Sequence, residues 1–452
     1  MPPEASTTAL VSGRFLDGVQ NSGNRNLSFV RSYAGFTDLG RRIGNVMLTD
    51  ANGNPVNFQT AVPGEYVADA AFIDWSYSID LAPRKEQNAA AHLSWLSNER
   101  GVLMFGDLLP IFTADSAKMS GRVELNFKNV SAKIKDFTIS SDDVRNEVIS
   151  VGSEVRARTE KFGTLPVRFE ISGEWLFTDD ELTKFAKEIY DSYRSVFSGD
   201  VSKGIAIRLL RFPSDISHGV WQADTRGGNI TIVSSDMPFK TQSVQRLHEQ
   251  LRHEMFHLWI PNGVNLSGNY DWFYEGFALY TSLKVAVAHN RIRFEDMLDT
   301  LSRAYAIDSR QTNRISLVAA SNTRFNGNET QIYARGMATA FLCDILLMDR
   351  SRGKHSISDL LLAIYSKYKY PNQRTDGNTA VISTLQKYPV LVPVIEKYIN
   401  GTGVFEWQSE LLLAGLESTK NGLVVTAKLT GRQKDLLEAL GYNNWRRPPL
   451  TK

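Results

Sequence analysis

One cysteine, Cys343, stands in a chain of 452 residues, which excludes an intramolecular disulfide and any metal site built from several thiolates. It lies in the apolar run 340–348, where a lone thiol reads as a small core residue. An excess of either charge is also lacking: 51 Lys and Arg face 49 Asp and Glu, a formal +2, too little for a long-range field toward polyanions. Nucleic acid is therefore not expected as a partner. The densest basic stretch, 367–369 beside Tyr365 and Tyr370, reads as a solvated helix end. No apolar run reaches the length of a transmembrane helix. Residues 1–10 lack the basic-then-apolar pattern of a signal peptide, so the expectation is either a cytoplasmic protein or an exported one in its mature form.

What is present is the balance of an ordinary globular protein, 42% hydrophobic and 22% charged, in a chain long enough for two or three domains. From about residue 10 to 170, short alternating stretches such as 122–130 and 165–172 are separated by turn residues such as Asn52-Gly53-Asn54-Pro55, the pattern of an antiparallel sheet domain. No internal repeat or low-complexity linker interrupts it. Near residue 178 the period changes. Thr178 and Glu181 form a capping-box pattern, followed by Leu182, Phe185, Ile189, Tyr193 and Val196 at helical spacing. Strands are expected at 205–211 and 229–234, then helices from near Ser243, at 272–288, 331–348, 358–367 and 432–440.

The helix opening near Ser243 carries His253-Glu254-Met255-Phe256-His257. Two histidines four residues apart differ by about 40° around an α-helix and about 6 Å along it, so both imidazoles can meet one ion, with Glu254 beside them to reach a water on that ion. A chance match of this pattern in a chain with so few histidines is roughly one in two hundred. The preceding His248-Glu249 is a decoy, because its fifth position is Arg252, and it is expected to face solvent. Pro261 ends the helix. The Asn- and Gly-rich stretch 262–270 supplies a turn, and Asp271 can cap the next helix. That helix carries Trp272-Phe273-Tyr274-Glu275-Gly276-Phe277. A carboxylate among so many aromatics is costly to bury without a cation. Glu275, returning to the two histidines, would complete a tetrahedral site of two imidazoles, one carboxylate and one water, with zinc as that cation.

These stretches resemble the glycyl aminopeptidase family of gluzincin zinc metallopeptidases, and are similar also to the membrane alanyl aminopeptidase family. In both, the third zinc ligand is a glutamate seventeen or eighteen residues past the second histidine; here seventeen residues separate His257 from Glu275. Tyr333-Ala334-Arg335-Gly336, with Phe341-Leu342 beyond, resembles the family's Tyr-x-Lys-Gly helix start with Arg in place of Lys, which implies that Tyr333 is the transition-state hydrogen-bond donor. The resemblance is strong over about 205–350 and continues more weakly through 358–361 and 398–401.

There are departures. The family reads a peptide's free amino end through a Gly-x-Met-Glu-Asn type strand before the zinc helix. The best local match, Gly219-Val220-Trp221-Gln222-Ala223, makes Gly219 and Gln222 the substrate-binding candidates, with a neutral glutamine where glutamate is expected. Four residues past the third ligand stands Leu279 instead of the aspartate of thermolysin. The stretch after Gly401 is too short for the PDZ domain that members often carry.

The resulting expectation is an α+β multidomain chain: an N-terminal antiparallel β domain (1–172), a thermolysin-like catalytic domain (173–350) and a helical C-terminal region (351–452). Its expected function is that of a zinc-dependent, aminopeptidase-like peptidase holding one Zn2+ per chain and acting on peptide or protein substrates. Two alternatives stand beside it: an endopeptidase with the same zinc site, and a peptidase fold kept only for binding. Retention of His253, Glu254, His257 and Glu275 together weighs against the last.

Overall fold

Period-two alternation builds the first sheet. In strand β1 (Thr8–Phe15), Ala9, Val11 and Phe15 are buried while Leu10 is exposed, as a strand with one face on a core requires. Gly13 falls at an inward position opposite Trp75, where a Cβ would lie 2.3 Å from the indole ring. The glycine makes room for that ring. Strands β2 (Ile43–Thr49), β3 (Asp74–Asp80), β4 (Lys118–Leu125) and β5 (Lys133–Ser140) complete an all-antiparallel sheet in the order β5-β4-β1-β3-β2. The structure, a computed structural model, describes residues 7–16, 25–97, 100–111, 118–125, 133–202 and 204–443. Of the strand expected at 122–130, residues 126–130 lie outside the described residues.

A second five-stranded sheet is mixed. Strands β6 (Arg156–Phe162), β7 (Leu165–Ile171), β8 (Ile205–Arg211), β9 (Trp221–Arg226) and β10 (Asn229–Ser234) pair in the order β6-β7-β8-β10-β9, with β7, β8 and β10 parallel and both edge strands antiparallel. The antiparallel expectation for the N-terminal part therefore holds for the first sheet and for the pairing of 165–171 with β6, and fails for its other edge, where the partner β8 arrives only after an intervening helix, as a parallel connection needs. The buried Arg208 on β8 is held by Glu170 on β7 at 2.9 Å and by Asn229 on β10 at 2.7 Å.

The chain divides into two compact units, Met1–Asp179 with Gly204–Ser243, and Asp180–Lys203 with Val244–Lys452. Both sheets belong to the first. The second is mainly helical and includes α1 (Asp179–Val196) after its first residue, α2 (Lys240–Phe256) from Val244 on, α3 (Asp271–Ala288), α4 (Phe294–Ser309), α5 (Glu329–Ser351), α6 (Ile357–Tyr368) and α7 (Gly431–Ala439). Thus the fold is α+β, with antiparallel strands toward the N terminus and helices toward the C terminus. Among the described residues no helix is long and apolar enough to cross a membrane.

Two contacts in the helical unit position the site. Tyr190, Tyr193 and Phe197 surround Trp259, with ring centroids 5.3, 6.1 and 5.4 Å away, and Tyr193 donates to the Arg252 carbonyl at 2.6 Å. The segment just past α2 is thereby pinned by aromatic packing. Helices α3 and α5 cross glycine on glycine: a Cβ on Gly276 would lie 2.5 Å from Gly336 Cα, and one on Gly336 would lie 2.6 Å from the Trp272 carbonyl. Each glycine neighbours a candidate motif residue, so their lack of side chains brings Glu275 and Tyr333 onto facing helices. Cys343 is buried, as its apolar context implied.

Candidate metal centre

Helix α2 carries His253 and Glu254 but ends at Phe256, earlier than Pro261 alone would dictate. Beyond it the chain tightens: His257, Leu258 and Trp259 donate to carbonyls three residues back at 3.1, 3.3 and 3.1 Å, the 3-10 pattern common at helix ends. His257 is therefore the first residue after the helix. Its carbonyl is satisfied by the backbone and side-chain amides of Asn262 at 3.2 and 3.0 Å. The stretch 262–270 is more than a turn, since Leu266–Ser267 pairs in parallel with Thr375–Asp376.

Three donor atoms converge. His253 Nε2 lies 3.3 Å from His257 Nε2, and Glu275 Oε2 lies 3.2 Å from the first and 3.6 Å from the second. Ligands about 2.0–2.1 Å from one tetrahedral ion stand about 3.3–3.4 Å apart, so this triangle has the dimensions of three corners of a zinc site. Glu275 Oε2 is buried and, the two imidazole nitrogens apart, meets no hydrogen-bond donor among the described residues, an arrangement that a bound cation would satisfy. His257 Nδ1 stands 3.1 Å from the Ile260 carbonyl. A carbonyl only accepts, so Nδ1 carries the proton and the Nε2 lone pair faces the other two donors. His253 Nδ1 has no such partner among the described residues.

Glu254, Asp271 and Glu275 are all buried, and the Arg324 guanidinium reaches the last two. Its Nη1 donates to Asp271 Oδ1 and to Glu275 Oε1, both at 2.9 Å, and its Nη2 donates to the Tyr333 hydroxyl at 2.7 Å. Burial alone would raise the Glu275 pKa, but Arg324 and the two imidazoles outweigh it and hold the carboxyl well below the usual range. Burial likewise opposes charge on His257, yet Glu275, Glu254 and the Ile260 carbonyl make it more basic than usual. The Tyr333 phenol is pushed well above its ordinary pKa by burial and by Glu275, with Arg324 opposing. It stays a proton donor.

The fold thus brings together His253, Glu254, His257, Glu275 and Tyr333. Gly219 and Gln222 lie in the other unit. Gly219 adopts φ +79°, a turn conformation suited to glycine, and Gln222 sits half-buried on edge strand β9 opposite Val233. Several expectations are corrected. Asp271 does not cap α3; it is that helix's first residue, its carboxylate is taken by Arg324, and the Trp272 amide is satisfied instead by Ser321 Oγ at 2.9 Å. His248 does not face solvent: it is fully buried, accepts from Arg252 Nη1 at 2.5 Å, and burial with the neighbouring cations drives its pKa down to about 2. Only Glu249 of that pair is exposed. Arg335, aligned with the family's lysine, is buried against Asp308 at 3.2 Å and bonded to the Tyr398 and Gly403 carbonyls; it ties α5 to its neighbours. Arg324 was missed because nothing local marks it: it lies nine positions before Tyr333 and far from Glu275 in sequence.

No protein-family model matches the chain, and no curated protein is similar to it in sequence. Solved structures are similar in fold. An aminopeptidase N family protein from Idiomarina loihiensis, 13% identical, superposes with a TM-score of 0.75 over 94% of this chain and 80% of that one. An M1 zinc metallopeptidase from Deinococcus radiodurans, 12% identical, gives 0.51 over 89% and 88%. A variant of the latter bound to a Tyr-Ser-Ala substrate gives 0.52 at 12% identity over the same shares. At these identities the likeness establishes a common architecture: the chain is folded as the M1 zinc metallopeptidases and the aminopeptidase N family protein are.

Proposed function

We propose that the chain is a zinc-dependent peptidase of gluzincin type with a thermolysin-like site, aminopeptidase-like in its action. The observation that carries this reading is the triangle of His253 Nε2, His257 Nε2 and Glu275 Oε2, sized for one tetrahedral ion. The likeness to M1 metallopeptidase structures supports it, as do the sequence motifs shared with the glycyl aminopeptidase family. His253, His257 and Glu275 would hold one zinc, which when bound polarises a water and brings its pKa to about 7.

The remaining chemistry falls to this chain's own side chains. Glu254 follows His253 on α2, near enough for its charge to act on both His257 and Tyr333. As general base it takes the proton of the attacking water and later delivers it to the departing amine. The Tyr333 hydroxyl, kept protonated, donates to the carbonyl oxygen as negative charge develops there. Tyr333→Phe removes one hydroxyl and little volume. It is therefore expected to lower kcat roughly a hundredfold with little change in KM. An unchanged kcat in folded, metallated protein would assign the donor to another residue.

Gln222 favours a second reading in which amino-end selectivity is weak. A carboxylate holds a protonated amine through a charge-assisted hydrogen bond about twice as strong as the neutral bond that a glutamine carbonyl offers. If Gln222 reads the amine as the motif resemblance implies, an N-acetylated peptide is expected to be cleaved within about tenfold of its free counterpart, a difference near 1.4 kcal/mol. Gln222→Glu should widen that gap. Comparing kcat/KM for both peptides on both proteins separates the readings: strong rejection of the acetylated peptide, unaltered by the substitution, removes Gln222 from the site and leaves a plain aminopeptidase.

A further inference from the structure

We propose that Arg324 is a positioning residue that couples Glu275 to Tyr333, leaving Glu275 one free oxygen for the metal and aiming the Tyr333 proton into the site. This rests on the zinc-peptidase reading above for its catalytic consequence, though not for the contacts themselves.

The geometry is specific. Arg324 belongs to the wide, kinked turn Arg324–Asn328, where Gly327 takes φ +92° and the Asn328 side-chain amide ties back to Thr323 Oγ1 at 2.8 Å. The turn sends the guanidinium back beneath α3 and α5. Its two terminal nitrogens divide their hydrogens between the helices: Nη1 serves Asp271 and Glu275 on α3, and Nη2 serves Tyr333 on α5, with a longer contact of 3.5 Å to Glu329 at the start of that helix. A planar fork can do this because its nitrogens stand at a fixed separation; an ammonium offers a comparable charge without that spacing.

Two consequences follow. Glu275 is split, with Oε1 engaged by Arg324 at 2.9 Å and Oε2 facing the imidazoles. Rotation of the carboxylate to present both oxygens would break the charge-assisted bond to Arg324, so the clamp selects one-oxygen ligation. The Tyr333 oxygen already accepts from a cation at 2.7 Å. Its own hydrogen must therefore point elsewhere, and withdrawal of electron density by the cation makes that hydrogen a better donor. Asp271, at the start of α3, is the third member. It accepts from the same Nη1 and fixes the fork's tilt.

The test uses Arg324→Lys and Arg324→Met in the full-length protein. Tyrosine labelled with 13C at Cζ gives a resonance for residue 333, assigned by its disappearance in Tyr333→Phe. In metal-free protein this resonance should move in both Arg324 variants, and an unmoved resonance overturns the clamp whether or not the chain is a peptidase. Kinetically, Arg324→Lys should retain the fold, lower zinc affinity by about tenfold as measured by chelator competition, and lower kcat by roughly thirtyfold with KM little changed. Tyr333→Phe, costing roughly a hundredfold in native protein, should cost less than about fivefold in the Arg324→Lys background. Full additivity of the two substitutions would mark Arg324 as merely structural and contradict the proposal. If the resonance moves while native protein binds no zinc, the clamp stands and the peptidase reading falls.

Discussion

Glu254→Gln is expected to keep zinc at one ion per chain while cutting kcat/KM by about a thousandfold or more, since a glutamine amide is isosteric but cannot accept the water's proton. The separation of the two effects follows from position. Glu254 is buried beside His253 on α2, yet the three atoms that converge on the ion's place belong to His253, His257 and Glu275. Removing the charge of Glu254 leaves those three atoms in place. Metal content by elemental analysis and peptide hydrolysis on the same preparation measure both halves. Full activity in the variant would rule out Glu254 as the base, and loss of zinc would make it a ligand.

The second large effect is on metal affinity. His253→Ala, His257→Ala and Glu275→Ala each remove one of three protein donors. Each is expected to weaken zinc binding by roughly a thousandfold or more, well beyond the 10–100-fold typical of outer residues. Zinc at a hundred times its Kd adds about 2.7 kcal/mol to the folded state, so the melting transition of native protein should rise on zinc addition and that of the three variants should not. Equal zinc retention in all three variants would mean that the triangle is not where the metal binds.

Much of this site was legible before any coordinates. The four-residue spacing of His253 and His257 predicts that both imidazoles share one face of a helix, whereas the seventeen residues before Glu275 point to the third donor through the resemblance to the glycyl aminopeptidase family. Helices α1, α3, α5 and α6 were readable within a residue or two at most ends, since apolar periodicity reports the buried face directly.

What escaped was whatever arrives from elsewhere in the chain. Arg324 has no motif, and its role depends on a turn whose shape is set by Gly327. Asp271 reads locally as a cap, but a guanidinium from 53 positions away takes its carboxylate and Ser321 takes the cap's place. His248 looked like a surface residue by its polarity, yet it lies beneath Phe185 and beside Arg252, where a neutral imidazole is tolerated. The parallel pairing of β7 with β8 was hidden because register across a crossover is not a local property.

The central claim is that one zinc sits among His253, His257 and Glu275, and anomalous scattering at the zinc edge from crystals of native protein tests it most directly. The account predicts a single peak per chain about 2.0–2.2 Å from His253 Nε2, His257 Nε2 and Glu275 Oε2. No peak after saturation with zinc, or a peak bound by none of these three side chains, would contradict it.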